Sequence, residues 1–298
     1  MNNTTWFWVE CGDQTAQDIT ALVLTTVGIV GNAAFLYVII SLREMHTTTN
    51  IYLANLAIAD LIFLVLNGIQ PFCYVIGTEI CAPLLLNIEF HCISNFIAST
   101  GFFAGMIIVG VIAIERYCAI CYPLHGNGCL YWMRKISWIL QALCWLLAIL
   151  PSITPLLPCY GKDSTYTQMA QTMVLIPMFF TLTILVFVLY IRMAVTLRKS
   201  ARNNVLNSPA AWETERQVMR ICLITAVLYI IFMFPYILRL IEEFLILYFS
   251  YFAAFSTYPC FRNVAIYFLM VNASINPVVY NVASSRYRIA FKTAFRCN

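Results

Sequence analysis

The sequence predicts an all-α membrane protein: a seven-transmembrane helix bundle followed by a short amphipathic eighth helix. Of 298 residues, 62% are hydrophobic and only 10% are charged, against roughly 25% charged in a soluble domain. The charges are parted by uncharged runs at 19–42, 90–114, 136–161, 164–191, 221–238 and 263–285, and a further run at 45–78 is broken only by Asp60. A spanning helix needs about 20 apolar residues, within a range of roughly 17–25, and each run is long enough. No segment shows the strand-length alternation of a membrane β-barrel.

The basic residues set the orientation. With the N-terminus outside, the inner loops and tail hold Arg43, Arg116, Arg134, Lys135, Arg192, Arg198, Lys199, Arg202, Arg216, Arg220, Arg286, Arg288, Lys292 and Arg296, while the outer side holds only Lys162, Arg239 and Arg262. That asymmetry places the N-terminus outside and the C-terminus inside. The expected organisation is an extracellular segment over 1–17, a seven-span domain over 18–284, and an amphipathic helix with a short cytoplasmic tail over 285–298. The first twenty residues lack a basic region followed by an apolar core, so no cleaved signal peptide is expected and the first span serves as its own anchor. Asn2 and Asn3 each open an Asn-x-Thr acceptor, which can be glycosylated only on an outward-facing end. The segment from Arg198 to Thr214 reads as the longest inner loop.

Polar residues within the runs are the next signal. Asp60, in "LANLAIAD", sits where a carboxylate costs about 2.5–3.5 kcal/mol on insertion scales, so it must face the bundle and find partners. It can be a structural residue held in neutral form or part of a functional site. In the last run, "NASINPVVY" supplies Asn272, Asn276, Pro277 and Tyr280; the two asparagines share a helix face. Glu115, Arg116 and Tyr117 close the third run. Such a pair can be a solvated helix end worth about 0–1 kcal/mol, or a switch in which Arg116 is held in one state and released in another.

Taken together these residues resemble a rhodopsin-like (class A) G protein-coupled receptor over most of the chain. The matches run in order, at least one per span: Gly31-Asn32, "LANLAIAD", Glu115-Arg116-Tyr117 with Pro123-Leu124 after it, Trp145, Pro177, Pro235, and Asn276-Pro277-Val278-Val279-Tyr280. After them "SSRYRIAFKTAF" places Tyr287 and Phe291 on one face between basic residues, as in a helix lying on the inner leaflet. The resemblance implies a heterotrimeric G protein as inner partner, with membrane lipid around the bundle. It implies a closed-state contact between Arg116 and Glu215, the residue placed for it before Pro235. It also implies a Cys92–Cys159 disulfide, with Cys81 as competitor, and a second bridge between Cys11 and Cys260 is a further candidate. Cys297 is a candidate for palmitoylation. The sequence departs from the family where Met233 replaces the usual tryptophan before Pro235 and Leu185 replaces a tyrosine after Pro177. Gly101 and Gly105 likewise replace residues that often help bind sodium, which leaves Asp60, Asn272 and Asn276 for a possible sodium ion; no other cofactor is expected.

Ligand chemistry is bounded mostly by absences. Residues 90–114 contain no Asp, so an amine receptor's salt bridge is unavailable, and Met270 stands where an opsin carries its retinal lysine. The outer half carries Glu10, Asp13, Asp18, Glu79, Glu89, Asp163, Glu242 and Glu243 against three bases, a rim that would steer a cationic ligand. Gln70, Glu89, Asn95, Ser99, Tyr236, Arg239 and Glu242 are the candidate ligand contacts. Arg239 could bind a carboxylate or an amide, or instead pair with Glu242 or Glu243. A peptide ligand fits best; a lipid or other small apolar ligand, or a receptor active without any ligand, remains open. A transporter would show paired inverted repeats, and none is visible. No cluster of His, Cys and carboxylates has metal spacing, so no enzyme is expected, nor a nucleic-acid partner.

Overall fold

The computed structural model describes residues 13–77, 81, 83, 86–122, 129–161, 164–202, 209–248 and 259–296. Seven helical segments long and apolar enough to span a bilayer follow in order, built on α1 Gln14–Ser41, α2 Thr48–Ile76, α3 Ile88–Cys121, α4 Ser137–Ser152 (its span running on to Leu157), α5 Ser164–Arg202, α6 Pro209–Tyr248 and α7 Pro259–Ala283. A short α8, Ser285–Ala294, follows. The chain is a multi-pass membrane protein. α1 starts earlier than the hydropathy pattern suggests because Asp13 caps it, accepting from the Thr15 amide at 3.1 Å. Thr47 caps α2 and Asn87 caps α3 in the same way, each satisfying an amide the helix start leaves open.

The helices form a closed ring in which α1 packs on α2 and α7, α2 on α3, α5 on α6, and α6 on α7. α3 runs through the middle, touching α2, α4, α5 and α6, and is the most buried. At Gly101 a Cβ would lie 2.9 Å from the Ala59 carbonyl oxygen, so glycine lets α2 and α3 meet backbone to backbone beside Asp60. Val23, Val27, Val30 and Ile40 of α1 and Ile184, Phe187 and Val188 of α5 face outward and exposed, as a surface in hydrocarbon requires. Buried polar side chains tie neighbouring helices. Asn32 donates to the carbonyls of Gly28 and Ala273, both at 2.9 Å, joining α1 to α7. Asn55 of α2 donates to Gln141 of α4 and accepts from the Trp145 indole at 3.2 Å.

Three further boundaries differ from the sequence reading. The run at 136–161 is not one helix: α4 stops at Ser152 and a 3-10 helix, Thr154–Tyr160, follows, because Pro155 and Pro158 cannot continue an α-helical ladder. α3 continues past Arg116 to Cys121. Most of the expected loop between Arg198 and Thr214 is helical, since α5 reaches Arg202 and α6 begins at Pro209. Hydropathy marks where a helix leaves the apolar layer, whereas polar residues with good helix propensity carry it further.

Candidate functional site

Glu115 and Arg116 lie at the end of the bundle opposite Gln14, and neither is solvated: their exposures are 0% and 5%. The guanidinium reaches the carboxylate through Nε and Nη2, each at 2.5 Å, and Thr49 of α2 donates to the same carboxylate at 3.4 Å. A bare helix end would expose this pair, but here it is enclosed, with Thr49 of α2 on the carboxylate and Gln217 and Val218 of α6 in the lining beside it. Around it opens a polar recess of about 150 Å³ lined by Thr47, Asn50, Arg134, Gln217, Ser284 and Arg286 among others. The side chain of Glu215, the expected second partner of Arg116, lies outside the described residues.

α8 is pinned to this end. Tyr287 donates to Asn50, whose amide nitrogen holds the Met45 carbonyl at 2.7 Å. Burial pushes the Tyr287 phenol well above its ordinary pKa, so it stays a donor. Tyr280 of the Asn-Pro-Val-Val-Tyr stretch is buried against Phe35 and Tyr287, its ring centroid 4.7 Å from that of Phe35. Tyr190, too far along α5 to take the place of the missing tyrosine directly, is buried, whereas Leu185 is exposed on the outward face of α5. Met233 is fully buried and fills the bundle interior as a plain hydrophobe.

Midway along the bundle, Asp60 accepts from the Asn276 amide at 2.8 Å, joining α2 to α7. Both line a small cavity of about 30 Å³ together with Asn272, Thr225, Tyr229, Gly101 and Gly105. The side-chain oxygens that could face a cation such as sodium are those of Asp60, Asn272, Thr225 and Tyr229. A cation is held by several oxygens; the α3 wall offers glycines without side-chain oxygens, and Asn276 turns its N–H rather than its oxygen toward the carboxylate.

At the Gln14 end, Asn95, Ser99, Tyr236 and Arg239 line one cleft of about 190 Å³ with Asn67, Gln171, Phe63, Phe102 and Phe103. Arg239 pairs with Glu243 and lies over the Tyr236 ring, 5.9 Å from its centroid. Gln70 is not in this cleft; it lines an adjoining one between α2 and α3 that shares Asn67 and Asn95 and includes His91 and Tyr74. Asn95 bonds the His91 ring at 3.0 Å. Glu89 and Glu242 line neither cleft. Glu89 is exposed in the first turn of α3, where its charge complements the helix dipole, and the pairing of Arg239 goes to Glu243 rather than Glu242. Gln171, Asn67 and His91 are cleft residues that the sequence did not single out, since isolated polar residues near span ends look like ordinary boundary residues.

Disulfides brace this end. Cys92 of α3 is bonded to Cys159 in the 3-10 segment, Cα to Cα 6.3 Å. Cys81, the candidate competitor for that bridge, is bonded to Cys73 of α2 instead, Cα to Cα 5.6 Å. Asn2, Asn3, Cys11, Cys297 and the side chain of Cys260 lie outside the described residues.

Seven spanning helices, with a cleft at one end and a buried Glu115–Arg116 ion pair at the other, form the arrangement of a transmembrane receptor. The profile of the 7 transmembrane receptor (rhodopsin family) matches residues 31–280, and the chain belongs to that family. It is 24% identical to the tachykinin-like peptides receptor 99D of Drosophila melanogaster over 89% of this chain, spanning about half (54%) of that relative's length. It is 27% identical to galanin receptor 2a of Danio rerio (91% of this chain, 75% of the other) and 25% to the substance-P receptor of Cavia porcellus (93% and 70%). The crystal structure of squid rhodopsin superposes with a TM-score of 0.74 at 18% identity, covering 94% of this chain and 84% of that one, a likeness of fold.

Proposed function

We propose that this receptor sits in the plasma membrane with its N-terminus outside and converts binding of an extracellular peptide into activation of a heterotrimeric G protein. The observation that carries the reading is the cleft at the Gln14 end. Its lining mixes amides and hydroxyls of Asn67, Asn95, Ser99 and Gln171 with the rings of Phe63, Phe102, Phe103 and Tyr236, groups suited to peptide bonds and aromatic side chains. Relatives named as receptors for tachykinin-like peptides, galanin and substance P support it. The recess around Arg116 would receive the G protein once α6 moves, with Glu215 as a second restraint on Arg116. Asn2 and Asn3 would carry glycans, Cys297 a palmitoyl chain, and Cys11 and Cys260 a further bridge.

The test is guanine-nucleotide exchange on purified G protein, with the receptor in lipid nanodiscs and pools of short amidated or basic peptides. A responding peptide should lose about tenfold or more in potency against Arg239→Ala, the equivalent of about 1.4 kcal/mol, since the substitution removes both the cation over Tyr236 and the partner of Glu243. Exchange driven by lipid extracts and indifferent to Arg239→Ala would overturn the peptide reading in favour of a small apolar ligand.

A further inference from the structure

The cavity beside Asp60 contains two groups that the arginine lock and the ligand cleft do not use. Thr225 and Tyr229 lie four residues apart on α6 and so share a face, and both line that cavity opposite Asp60 and Asn276. Both residues are buried, at 6% and 7% exposure. The Thr225 Oγ1 and Tyr229 hydroxyl atoms have no hydrogen-bond partner among the described residues. Folded proteins rarely leave such groups unsatisfied, and two on one face aimed at one polar cavity call for a shared partner.

The cavity has the size and chemistry for that partner. Its volume of about 30 Å³ exceeds the roughly 10–15 Å³ that one water molecule requires, and a buried water needs two to four polar neighbours. Asp60 and Asn276 supply acceptor and amide on α2 and α7, while Thr225 and Tyr229 supply hydroxyls on α6. Apart from the amide of Asn272, the remaining walls, Leu56, Met106, Val109 and Leu269 among them, are apolar.

We propose that Thr225 and Tyr229 bind ordered water in this cavity and through it hydrogen-bond α6 to Asp60 and Asn276, forming a latch that keeps α6 closed against α2 and α7. The latch acts in the middle of the bundle, apart from the arginine lock at its end, and its effect on signalling rests on the receptor reading above. α6 leaves the closed position only by giving up this water. Tyr229 therefore restrains α6 through its hydroxyl, beyond the packing its ring provides.

Tyr229→Phe removes that oxygen and little else, so it separates the two possible roles. The purified receptor in detergent should unfold about 2–4 °C lower, and its ligand-free nucleotide exchange should rise about fivefold. Thr225→Val should act in the same direction, and the double variant should do less than the sum of the two, because both hydroxyls serve one water cluster. A melting temperature unchanged or raised in Tyr229→Phe and in Thr225→Val would overturn the latch, since removing a dry, unpartnered hydroxyl relieves a cost. Lowered melting temperatures with no exchange from any receptor, wild type included, would support the latch and overturn the receptor reading instead.

Discussion

Ligand-free nucleotide exchange should rise about tenfold when Glu115 is replaced by alanine. The substitution leaves the Arg116 guanidinium inside the bundle without its bidentate partner, at a site where the two residues are 0% and 5% exposed. Removing one member of a buried ion pair costs about 3–5 kcal/mol, chiefly because the other charge stays buried and unpaired. That cost falls on the closed arrangement, which holds Arg116 inward; an open arrangement that releases the guanidinium escapes it. Water entering from the adjoining recess, and whatever else Arg116 touches, will return part of the cost. A net of about 1.4 kcal/mol is enough for a tenfold shift between the two populations. The check is exchange at matched receptor concentration. Glu115→Gln should give a smaller rise, because the amide still accepts one hydrogen bond. Equal basal rates in wild type and Glu115→Ala would mean that the pair is part of the scaffold and not a switch. Arg116→Ala should silence exchange with or without ligand.

The second large effect is a ranking. Cys92→Ser is expected to cost the folded receptor more than Cys73→Ser. The Cys92–Cys159 bridge joins residues 67 apart in sequence and the Cys73–Cys81 bridge residues only 8 apart. By loop-closure entropy those separations correspond to about 4.4 and about 2.5 kcal/mol. Both figures are upper bounds here, because the bilayer already confines the unfolded chain. Position adds to the difference. Cys92 anchors the start of α3, which forms one wall of the cleft, to the 3-10 segment after α4, whereas Cys73 ties the last turn of α2 to Cys81, five residues beyond its end. Cys92→Ser should therefore lower both surface expression and peptide potency, and Cys73→Ser should lower mainly thermal stability. Equal losses in the two would show that the bridges brace one unit.

The seven spans were legible because a helix in hydrocarbon must be apolar for about 20 residues, and few other constraints act on its outward face. The ends were less legible. Past the apolar layer α5 and α6 continue through residues such as Arg198, Lys199 and Arg220, which suit a helix as well as a loop. The site divides in the same way. Arg116, Asp60 and Asn276 stood out because charge and amide are costly within a span. Thr225 and Tyr229 did not, since a hydroxyl on an apolar helix is common and only its neighbours reveal it as unpartnered. The pairing of Cys81 could not be read either: six cysteines near one end admit several bridges, and only their placement in space selects Cys73, 5.6 Å from Cys81 between Cα atoms. Whether Glu115 and Arg116 mark a solvated boundary or an enclosed pair was a question of burial, and sequence does not carry burial at a helix end.

The anchoring of α8 has a practical consequence. Arg286 donates to the Glu44 carbonyl at 2.8 Å, Tyr287 to Asn50, and Arg288 to the carbonyls of Asn281 and Val282 at 3.2 and 3.1 Å. Those acceptors belong to the α1–α2 connection, the first turn of α2 and the last turn of α7. α8 is thus bracketed to α1, α2 and α7, and among the described residues its hydrogen bonds to α6 are two long ones, from Ser284 and Ser285 to Gln217 at 3.5 Å. A spin label at exposed Lys292, paired with one on the inner part of α6, would give a fixed ruler for α6, reading its displacement in ångströms without any signalling partner present.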